Sequence, residues 1–331
     1  MQIVNRQQVA DLGGNDPVQA LQDIEETVRL LRRGEAMMPA ETHVNLDTPL
    51  GKVYALPARV GGRFNATGVK WTAHRPRAND GYPQAMATTL LNRADNGLPI
   101  GLVESGSLTA TRTAAVSALV FKLAAPRRPS RILLLGAGVQ ARAHLEMLAA
   151  HFPDLDMVYC WNKTPEPLAN MLSHADKLPW PVTQFETLSD ALRQHWDALI
   201  TCTSASEPFL RPGIWRTGTL VLQIGYHEVA FETIAAADKV VVDSWGDFKL
   251  TSAKSLFQMY RAGLFDEKNV AADLTHLLVD GWRPAETDKV FFSSFGLNVF
   301  DIALAARVLR AAAEQGTGSN LPFGWEIVDA D

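Results

Sequence analysis

The stretch RILLLGAGVQARAHLEML, which begins at Arg131, constrains the fold of this chain more than any other. An apolar run ends at Gly136 and a helix-forming run begins after Gly138, so both glycines fall at a strand-to-helix turn. In a dinucleotide-binding turn the first glycine permits a tight bend and the second lets the backbone approach a pyrophosphate, while the third position, here Ala141, must be small. The free N–H groups of the new helix face the phosphates. The sequence therefore predicts a cofactor turn, made by Gly136, Ala137, Gly138, Val139 and Gln140.

The chain around this turn alternates between strand-like and helix-like segments. Apolar strand segments follow Ser130 and read DMVYCWN, ALITCTS, LVLQIG and KVVVDSW, with helical patterns after several of them. Such alternation is typical of a parallel, doubly wound sheet with helices on both faces. The predicted fold class is α/β.

The segment from Thr42 to Ser105 has another pattern. Short apolar stretches are separated by turn residues, and Asp95-Asn96-Gly97 predicts a hairpin, so we expect an antiparallel sheet. Helices are predicted from Pro17 to a stop at Gly34, after a cap at Ser107 or Thr109, and through the long amphipathic run NVFDIALAARVLRAAAEQG.

Composition excludes several classes of protein. The 331 residues carry a net charge of −5 without a long run of one sign, which argues against nucleic acid or an anionic membrane as partner. The N-terminus lacks the pattern of a signal peptide, and the longest helical apolar run, 114–125, is too short to cross a bilayer. Cys160 and Cys202 lie in apolar strands, so we expect a reducing, cytoplasmic compartment. His227-Glu228 lacks the second histidine of a zinc motif, and no metal is predicted.

The carboxyl end of the strand after the glycine turn bears on which cofactor binds. An NAD site places Asp or Glu there, but the chain reads Asn162-Lys163-Thr164, and its aspartates precede the strand. Hydrogen-bond donors and a positive charge suit a 2′-phosphate, so NADP(H) is favoured over NAD(H). The alternative is that Lys163 is an ordinary exposed turn lysine.

Three further side chains are candidates for chemistry. Lys70 interrupts the apolar strand ATGVKWTA, although such a lysine often faces solvent. Arg112 is predicted in the first turn of a helix, where the helix end disfavours a cation unless both bind one carboxylate. His227 follows a strand at the edge where ligands of open α/β sheets bind, so it is either an acid–base group or a loop histidine.

Taken together, these motifs resemble a known family. GVKW, TATRTAAVSAL, LGAGVQARAHLEML, VYCWNKT and FFSSFGLNVFDIALAA occur in the order seen in the ornithine cyclodeaminase/mu-crystallin family, over nearly the whole chain. The C-terminal half looks most like the siderophore-pathway branch of N-(2-amino-2-carboxyethyl)-glutamate dehydrogenases. The turn WNKT instead resembles mu-crystallin, a ketimine reductase that uses NADPH.

The resemblance implies an organisation into two domains and a homodimer. Residues 1–115 with 298–331 would form a smaller α+β substrate-binding and dimerisation domain, residues 116–297 the Rossmann domain, and the site the cleft between them. Lys70 matches the family's lysine and Arg112 its carboxylate-binding arginine, while Ser294 and Gly296 match the segment that closes on the nicotinamide. The predicted set also includes Thr203, Ser204 and Gly225 as cofactor contacts and Gln84 as a substrate contact.

Two departures from the family pattern concern the substrate. His227 stands where cyclodeaminases carry an aspartate base, which makes ornithine cyclisation doubtful. After Met38-Pro39, Glu41 stands near where many members have an arginine for a carboxylate. Glutamate attracts an ammonium or guanidinium group, so Glu41 is a predicted contact to an unusual substrate.

The leading functional hypothesis is an NAD(P)H-dependent oxidoreductase acting on the C–N bond of an imino acid or N-substituted amino acid. Arg112 would bind the carboxylate, Lys70 would orient it and polarise the imine, and His227 would move a proton. One alternative is a redox-neutral cyclodeaminase acting on ornithine or lysine. Another is a non-catalytic protein of the mu-crystallin type that binds nucleotide and ligand.

Overall fold

The computed structural model describes residues 1–47, 51–76, 80–173 and 175–322, and these form two units. The first comprises Met1–Asp16, Arg33–Thr109 and the chain from Asn298 onward, and the second comprises Pro17–Arg32 and Ala110–Leu297. The segment Pro17–Arg32 thus belongs to the second unit, whereas the predicted boundary had placed all of 1–115 in the first.

The first unit is built on a mixed eight-stranded sheet. Its strands are β1 (Gln2–Val4), β2 (Ala36–Met37), β3 (Thr42–Asn45), β4 (Lys52–Val60), β5 (Ala66–His74), β6 (Ala85–Arg93), β7 (Pro99–Glu104) and β16 (Ser319–Asn320). The order is β16-β1-β7-β6-β5-β4-β2, with β3 paired to β4. The predicted antiparallel pairing of β4 to β7 is confirmed, but β1 joins β7 in parallel, so the sheet is not purely antiparallel.

Two helices accompany this sheet, α1 (Arg6–Asp11) and α10 (Asn298–Glu314). The amphipathic pattern of the last helix was predicted, and α10 packs on β4, β5 and β6 with most of its residues buried. Along β5 the side chains of Ala66, Lys70 and Thr72 are buried, as expected when alternate residues face one side of a sheet.

The second unit contains an all-parallel eight-stranded sheet, which confirms the predicted doubly wound fold. Its order is β10-β9-β8-β11-β12-β15-β13-β14, where the strands are β8 (Arg131–Leu135), β9 (Met157–Trp161), β10 (Val182–Phe185), β11 (Ala198–Thr201), β12 (Leu220–Gln223), β13 (Lys239–Val242), β14 (Val270–Ala272) and β15 (Val290–Ser293). The order reverses between β8 and β11, and open α/β sheets bind ligands at the carboxyl ends of strands beside such a point.

The helices of this unit are α2 (Pro17–Arg32), most of α3 (Gly106–Ala124), α4 (Val139–His151), α5 (Pro165–Met171), α6 (Leu188–Arg193), α7 (Phe231–Ala235), α8 (Ser255–Arg261) and α9 (Leu274–Leu278). α2 packs on α4 and α9, which explains why it groups with this unit. α3 begins at Gly106, whose N–H donates to Glu104 Oε1 (2.8 Å), so Ser107 and Thr109 lie inside the helix and are not its N-cap. Over the described ranges, no helix has the length and apolar character needed to span a bilayer.

Candidate active site

Buried polar atoms gather at one edge of the parallel sheet. The last residues of four strands each carry a buried side-chain atom that, among the described residues, has no hydrogen-bond partner: Trp161 Nε1, Thr201 Oγ1, Gln223 Oε1 and Ser293 Oγ. Buried polar groups are normally paired, because leaving one unpaired costs about 1–3 kcal/mol. These atoms at the carboxyl ends of β9, β11, β12 and β15 are therefore suited to a polar ligand.

The glycine turn after β8 has the shape that a dinucleotide requires. Gly136 adopts φ +119°, and a Cβ placed on it would lie 2.3 Å from the backbone oxygen of Cys202. Gly138 is the exposed N-cap of α4, and a Cβ there would meet no described heavy atom within 4 Å. Ala141 is fully buried, so its small side chain allows the helix to pack closely. The open backbone at Gly138 is the fit expected for a pyrophosphate.

We expect substitution of these two glycines to give different results. Gly138→Ala should leave the melting temperature within about 2 °C, because the new methyl meets no protein atom, but should weaken cofactor binding about tenfold or more where backbone and phosphate must approach. Gly136→Ala should lower the free energy of unfolding by more than ~2 kcal/mol through backbone strain and collision. Thermal melts and cofactor titrations of the matched variants test this, and equal loss of stability in both would contradict it.

In the turn after β9, the predicted cofactor contact Asn162 is hydrogen-bonded within the turn itself. Asn162 Nδ2 donates to the backbone oxygen of Thr164 (2.7 Å) and to its Oγ1 (3.0 Å). Lys163 and Thr164 are exposed. β9 lies beside β8, so this turn neighbours the glycine turn at the same edge of the sheet.

Glu228 contributes a buried carboxylate that the sequence had suggested only as part of a rejected zinc motif. Its Oε1 accepts hydrogen bonds from Thr203 N (3.1 Å) and Thr203 Oγ1 (3.0 Å). A Cβ on Gly225 would lie 1.8 Å from the same oxygen, so only glycine fits at that position. Its other oxygen, Oε2, is buried without a partner in the described part of the chain. Predicted cofactor contacts Thr203 and Gly225 thus meet at Glu228, while Ser204 is exposed nearby in sequence.

Arg112 and Gly296 are in contact. Arg112 is 6% exposed, and a Cβ on Gly296 would lie 2.8 Å from its Nη1, at a φ of +98°. The N–H of Gly296 donates to Asp243 Oδ2 (2.6 Å), and Ser294, also buried, donates its N–H to Gln223 O (3.2 Å). Because α3 begins at Gly106, Arg112 lies in the second turn and not, as predicted, in the first, where the helix dipole acts most strongly.

His227 lies on the loop after β12 and is half-buried. Its Nδ1 is 3.4 Å from Gln258 Nε2, and its ring centroid is 6.2 Å from that of Tyr226. The described ranges contain no group of three His, Cys, Asp or Glu side chains that could hold a metal ion.

In the first unit, Lys70 is buried against the last helix. Only 3% of its side chain is exposed, and its Nζ lies 2.8 Å from Asp301 Oδ2 of α10. The solvent-facing alternative for this lysine is therefore wrong, since α10 covers its face of the sheet. Asp301 was missed from the sequence, where the one signal was a carboxylate within the apolar run NVFDIALAA.

A network of hydroxyl contacts connects the Asp301 carboxylate to the sheet. Thr109 Oγ1 lies 3.3 Å from Asp301 Oδ1 and 2.7 Å from the backbone oxygen of Ser105. The hydroxyls of Ser105 and Thr89 are 2.6 Å apart, and Thr89 is the residue opposite Lys70 in the β5–β6 register. This network fixes the position of Asp301 and so that of the ammonium group.

The charge of Lys70 acts on two titratable side chains, Glu41 and His74, and Glu41 in turn acts on Tyr54. Burial raises the pKa of Glu41, which the Lys70 ammonium opposes. The pKa of Tyr54 is raised by burial and by the Glu41 carboxylate, and that of His74 is lowered by desolvation and by Lys70. Gln84 lies exposed just before β6, where its backbone oxygen accepts from Arg75 N (2.9 Å). Glu41 is thus the predicted substrate residue that shares an electrostatic environment with Lys70.

Known proteins match this chain along nearly its whole length. The model of the ornithine cyclodeaminase/mu-crystallin family matches residues 5–316. The N-((2S)-2-amino-2-carboxyethyl)-L-glutamate dehydrogenase of Staphylococcus aureus is 23% identical over 97% of this chain and 98% of its own. The ketimine reductase mu-crystallin of Mus musculus is 28% identical over 83% of this chain and 85% of its own.

Solved structures match the fold as well. The Delta(1)-pyrroline-2-carboxylate reductase of Thermococcus litoralis, in complex with NADH and L-proline, has a TM-score of 0.88 and 26% identity, covering 97% of this chain and 100% of that one. An archaeal alanine dehydrogenase dimer with bound NAD has a TM-score of 0.86 and 25% identity, covering 98% and 99%. With the family model spanning both units, the chain belongs to the ornithine cyclodeaminase/mu-crystallin family.

Proposed function

We propose that this protein reduces the C=N bond of an α-imino acid, with Lys70, Arg112 and His227 serving the substrate. The chain is a nicotinamide-dependent oxidoreductase that acts on C–N bonds of amino or imino acids, as its relatives are. The observation that carries the proposed roles is the Lys70–Asp301 pair, a buried ammonium whose Nζ lies 2.8 Å from the carboxylate, in a chain similar to a Delta(1)-pyrroline-2-carboxylate reductase and a ketimine reductase.

In the proposed reaction, three side chains have different roles. Arg112 binds the substrate carboxylate, for which a buried guanidinium offers two parallel hydrogen bonds. The Lys70 ammonium donates toward the imine nitrogen, so the adjacent carbon becomes a better hydride acceptor. His227 supplies the proton that nitrogen gains, and the C=N bond becomes C–N with one hydride and one proton added.

The residues at the edge of the parallel sheet suit a bound nicotinamide cofactor, which supplies the hydride. We assign to it the glycine turn 136–140, the turn 162–164, and the loop residues Thr203, Ser204, Gly225, Ser294 and Gly296. The open backbone at Gly138 and the unpaired buried atoms at the strand ends support this assignment.

The negative charge of Glu41 indicates which charge the substrate's side chain carries. Its carboxylate lies in the electrostatic environment of Lys70, where burial raises its pKa. A second carboxylate on the substrate would be repelled by Glu41, whereas an ammonium or guanidinium would be attracted. We propose a substrate whose side chain carries a positive charge, and Gln84 as a further contact.

A panel of imino acids tests these roles. The purified protein, given NADPH or NADH, is offered cyclic imino acids and linear imines formed from α-keto acids with ammonium, in cationic, neutral and anionic side-chain series. We expect oxidation of the reduced cofactor with the cationic series preferred, and Glu41→Gln should remove that preference. Ammonia release from ornithine or lysine without net change in the nucleotide would instead indicate a cyclodeaminase, and no turnover across the panel would contradict an imine reductase.

We propose NADPH as the preferred cofactor, because Lys163 is exposed at the end of β9 where an NAD site would hold an acidic residue. The Michaelis constant for NADPH should be lower than that for NADH. Lys163→Glu should raise the NADPH constant about tenfold by replacing a phosphate partner with a like charge. Lys177→Glu, at another exposed lysine of the same unit, should change neither constant. A wild-type preference for NADH would contradict this proposal.

We also propose a homodimer located in the cytoplasm. The archaeal alanine dehydrogenase with a similar fold is a dimer, and both cysteines of this chain are free thiols. Light scattering of the purified protein measures its mass in solution, and a monomeric mass would contradict the dimer.

A further inference from the structure

Lys254 is a buried lysine that the proposed reaction does not use. It precedes α8 and is 3% exposed. Its Nζ donates to the backbone oxygens of Gly225 (2.8 Å) and Ile224, and lies 4.8 Å from the centre of the Tyr226 ring. Burying an ammonium is costly unless it is paired and hydrogen-bonded, so this placement demands several partners. All of the named partners lie on the loop that follows β12.

Two buried carboxylates act on this ammonium electrostatically. Burial and the Arg112 guanidinium lower the pKa of Lys254, to about 8, whereas the carboxylates of Glu228 and Asp243 raise it. Each carboxylate holds a different loop, since Glu228 accepts from Thr203 N after β11 and Asp243 accepts from Gly296 N after β15. The ammonium is hydrogen-bonded to the loop after β12, and its charge acts on the two carboxylates that hold the loops after β11 and β15.

We propose that Lys254 is a positioning residue that holds these three loops in the arrangement that binds the nicotinamide half of the cofactor. This rests on the proposed assignment of Thr203, Gly225 and Gly296 to the cofactor. A dinucleotide crosses the point where the strand order reverses, with its pyrophosphate at the glycine turn after β8. The strands β9 and β10 lie on one side of β8, and β11, β12 and β15 lie on the other. Lys254 therefore acts on one half of the ligand only.

The matched variants Lys254→Met and Lys249→Met test the proposal. Lys249 is five residues away and pairs with Glu267 (2.5 Å) outside these loops. Tryptophan fluorescence titrations give dissociation constants for NADH and for ADP-ribose, which lacks the nicotinamide ring. Lys254→Met should raise the NADH constant about tenfold or more through lost preorganisation, while the ADP-ribose constant stays within about twofold. Lys249→Met should alter neither.

The pH dependence gives a second test that needs no destabilising change. As pH rises from 7 to 9.5 in roughly unit steps, the Lys254 ammonium loses its charge and the wild-type NADH constant should rise about tenfold. The groups facing it are the carboxylates of Glu228 and Asp243, the Arg112 guanidinium and the Cys202 thiol, whose pKa burial raises well above its usual value. Lys254→Arg keeps its charge throughout, so its NADH constant should stay flat.

A purely structural role would produce other results. Equal loss of NADH and ADP-ribose affinity in Lys254→Met, or a wild-type NADH constant that does not change with pH, would overturn the positioning role. If Lys254→Met does not fold, the comparison of wild type with Lys254→Arg across pH decides the question. A wild-type protein that binds neither ligand would contradict the proposed cofactor site itself, which separates that failure from this one.

Discussion

Lys70→Met should lower kcat for imino acid reduction by about 10²–10³-fold, the usual cost of removing one hydrogen-bond donor that stabilises the transition state electrostatically. The variant keeps an unbranched side chain of similar length but cannot donate to the imine nitrogen. The dissociation constant for NADPH should not change, because the cofactor residues belong to the other unit. Lys122→Met, at an exposed lysine, is the control and should retain full activity.

This substitution also removes the ammonium that pairs with the buried Asp301 carboxylate, and breaking such a pair costs about 3–5 kcal/mol in comparable proteins. The double variant Lys70→Met/Asp301→Asn should recover part of that stability and none of the activity. Denaturant unfolding and initial rates separate the two effects. Full activity in either variant would show that Lys70 takes no part in the reaction.

Arg112→Gln should raise the KM for the imino acid by about 10²-fold, since losing one partner of a buried charge pair costs about 2–5 kcal/mol. Arg112→Lys should fall between wild type and glutamine, because an ammonium keeps the charge and loses the two-point contact. Arg128→Gln removes a mostly exposed arginine that pairs with Asp154 and serves as control. An unchanged KM in Arg112→Gln would mean that another group binds the carboxylate.

Local sequence patterns predicted which helices and strands form better than they predicted which of these elements pack together. The glycine turn, the strands around it and the antiparallel run from β4 to β7 could be predicted because each depends on residues close together in the chain. The insertion of β15 between β12 and β13 could not, since strand order depends on how distant segments pack. The grouping of α2 with the second unit has the same cause, because its apolar face does not reveal which surface covers it.

The same distinction between local patterns and distant contacts applies to the candidate site. Gly136 and Gly138 were predicted from a motif; the structure gives a steric reason for Gly136, where a Cβ would collide with the backbone of Cys202, and shows open space at Gly138. Asp301, Glu228 and Lys254 were missed because their significance depends on contacts with residues far away in sequence. The position of Arg112 within its helix was wrong by one turn because the helix begins before the predicted caps.

The pairing of β1 with β16 and of Lys70 with Asp301 has a consequence for synthesis on the ribosome. The outer strand, the covering helix and the counter-ion of the first unit are all translated last, after the whole second unit has emerged. The first-unit segments Met1–Asp16 and Arg33–Thr109 are translated before these elements, so a chain released before residue 298 lacks the carboxylate that pairs with Lys70 and the helix that covers it. The second unit, by contrast, is translated completely before residue 298.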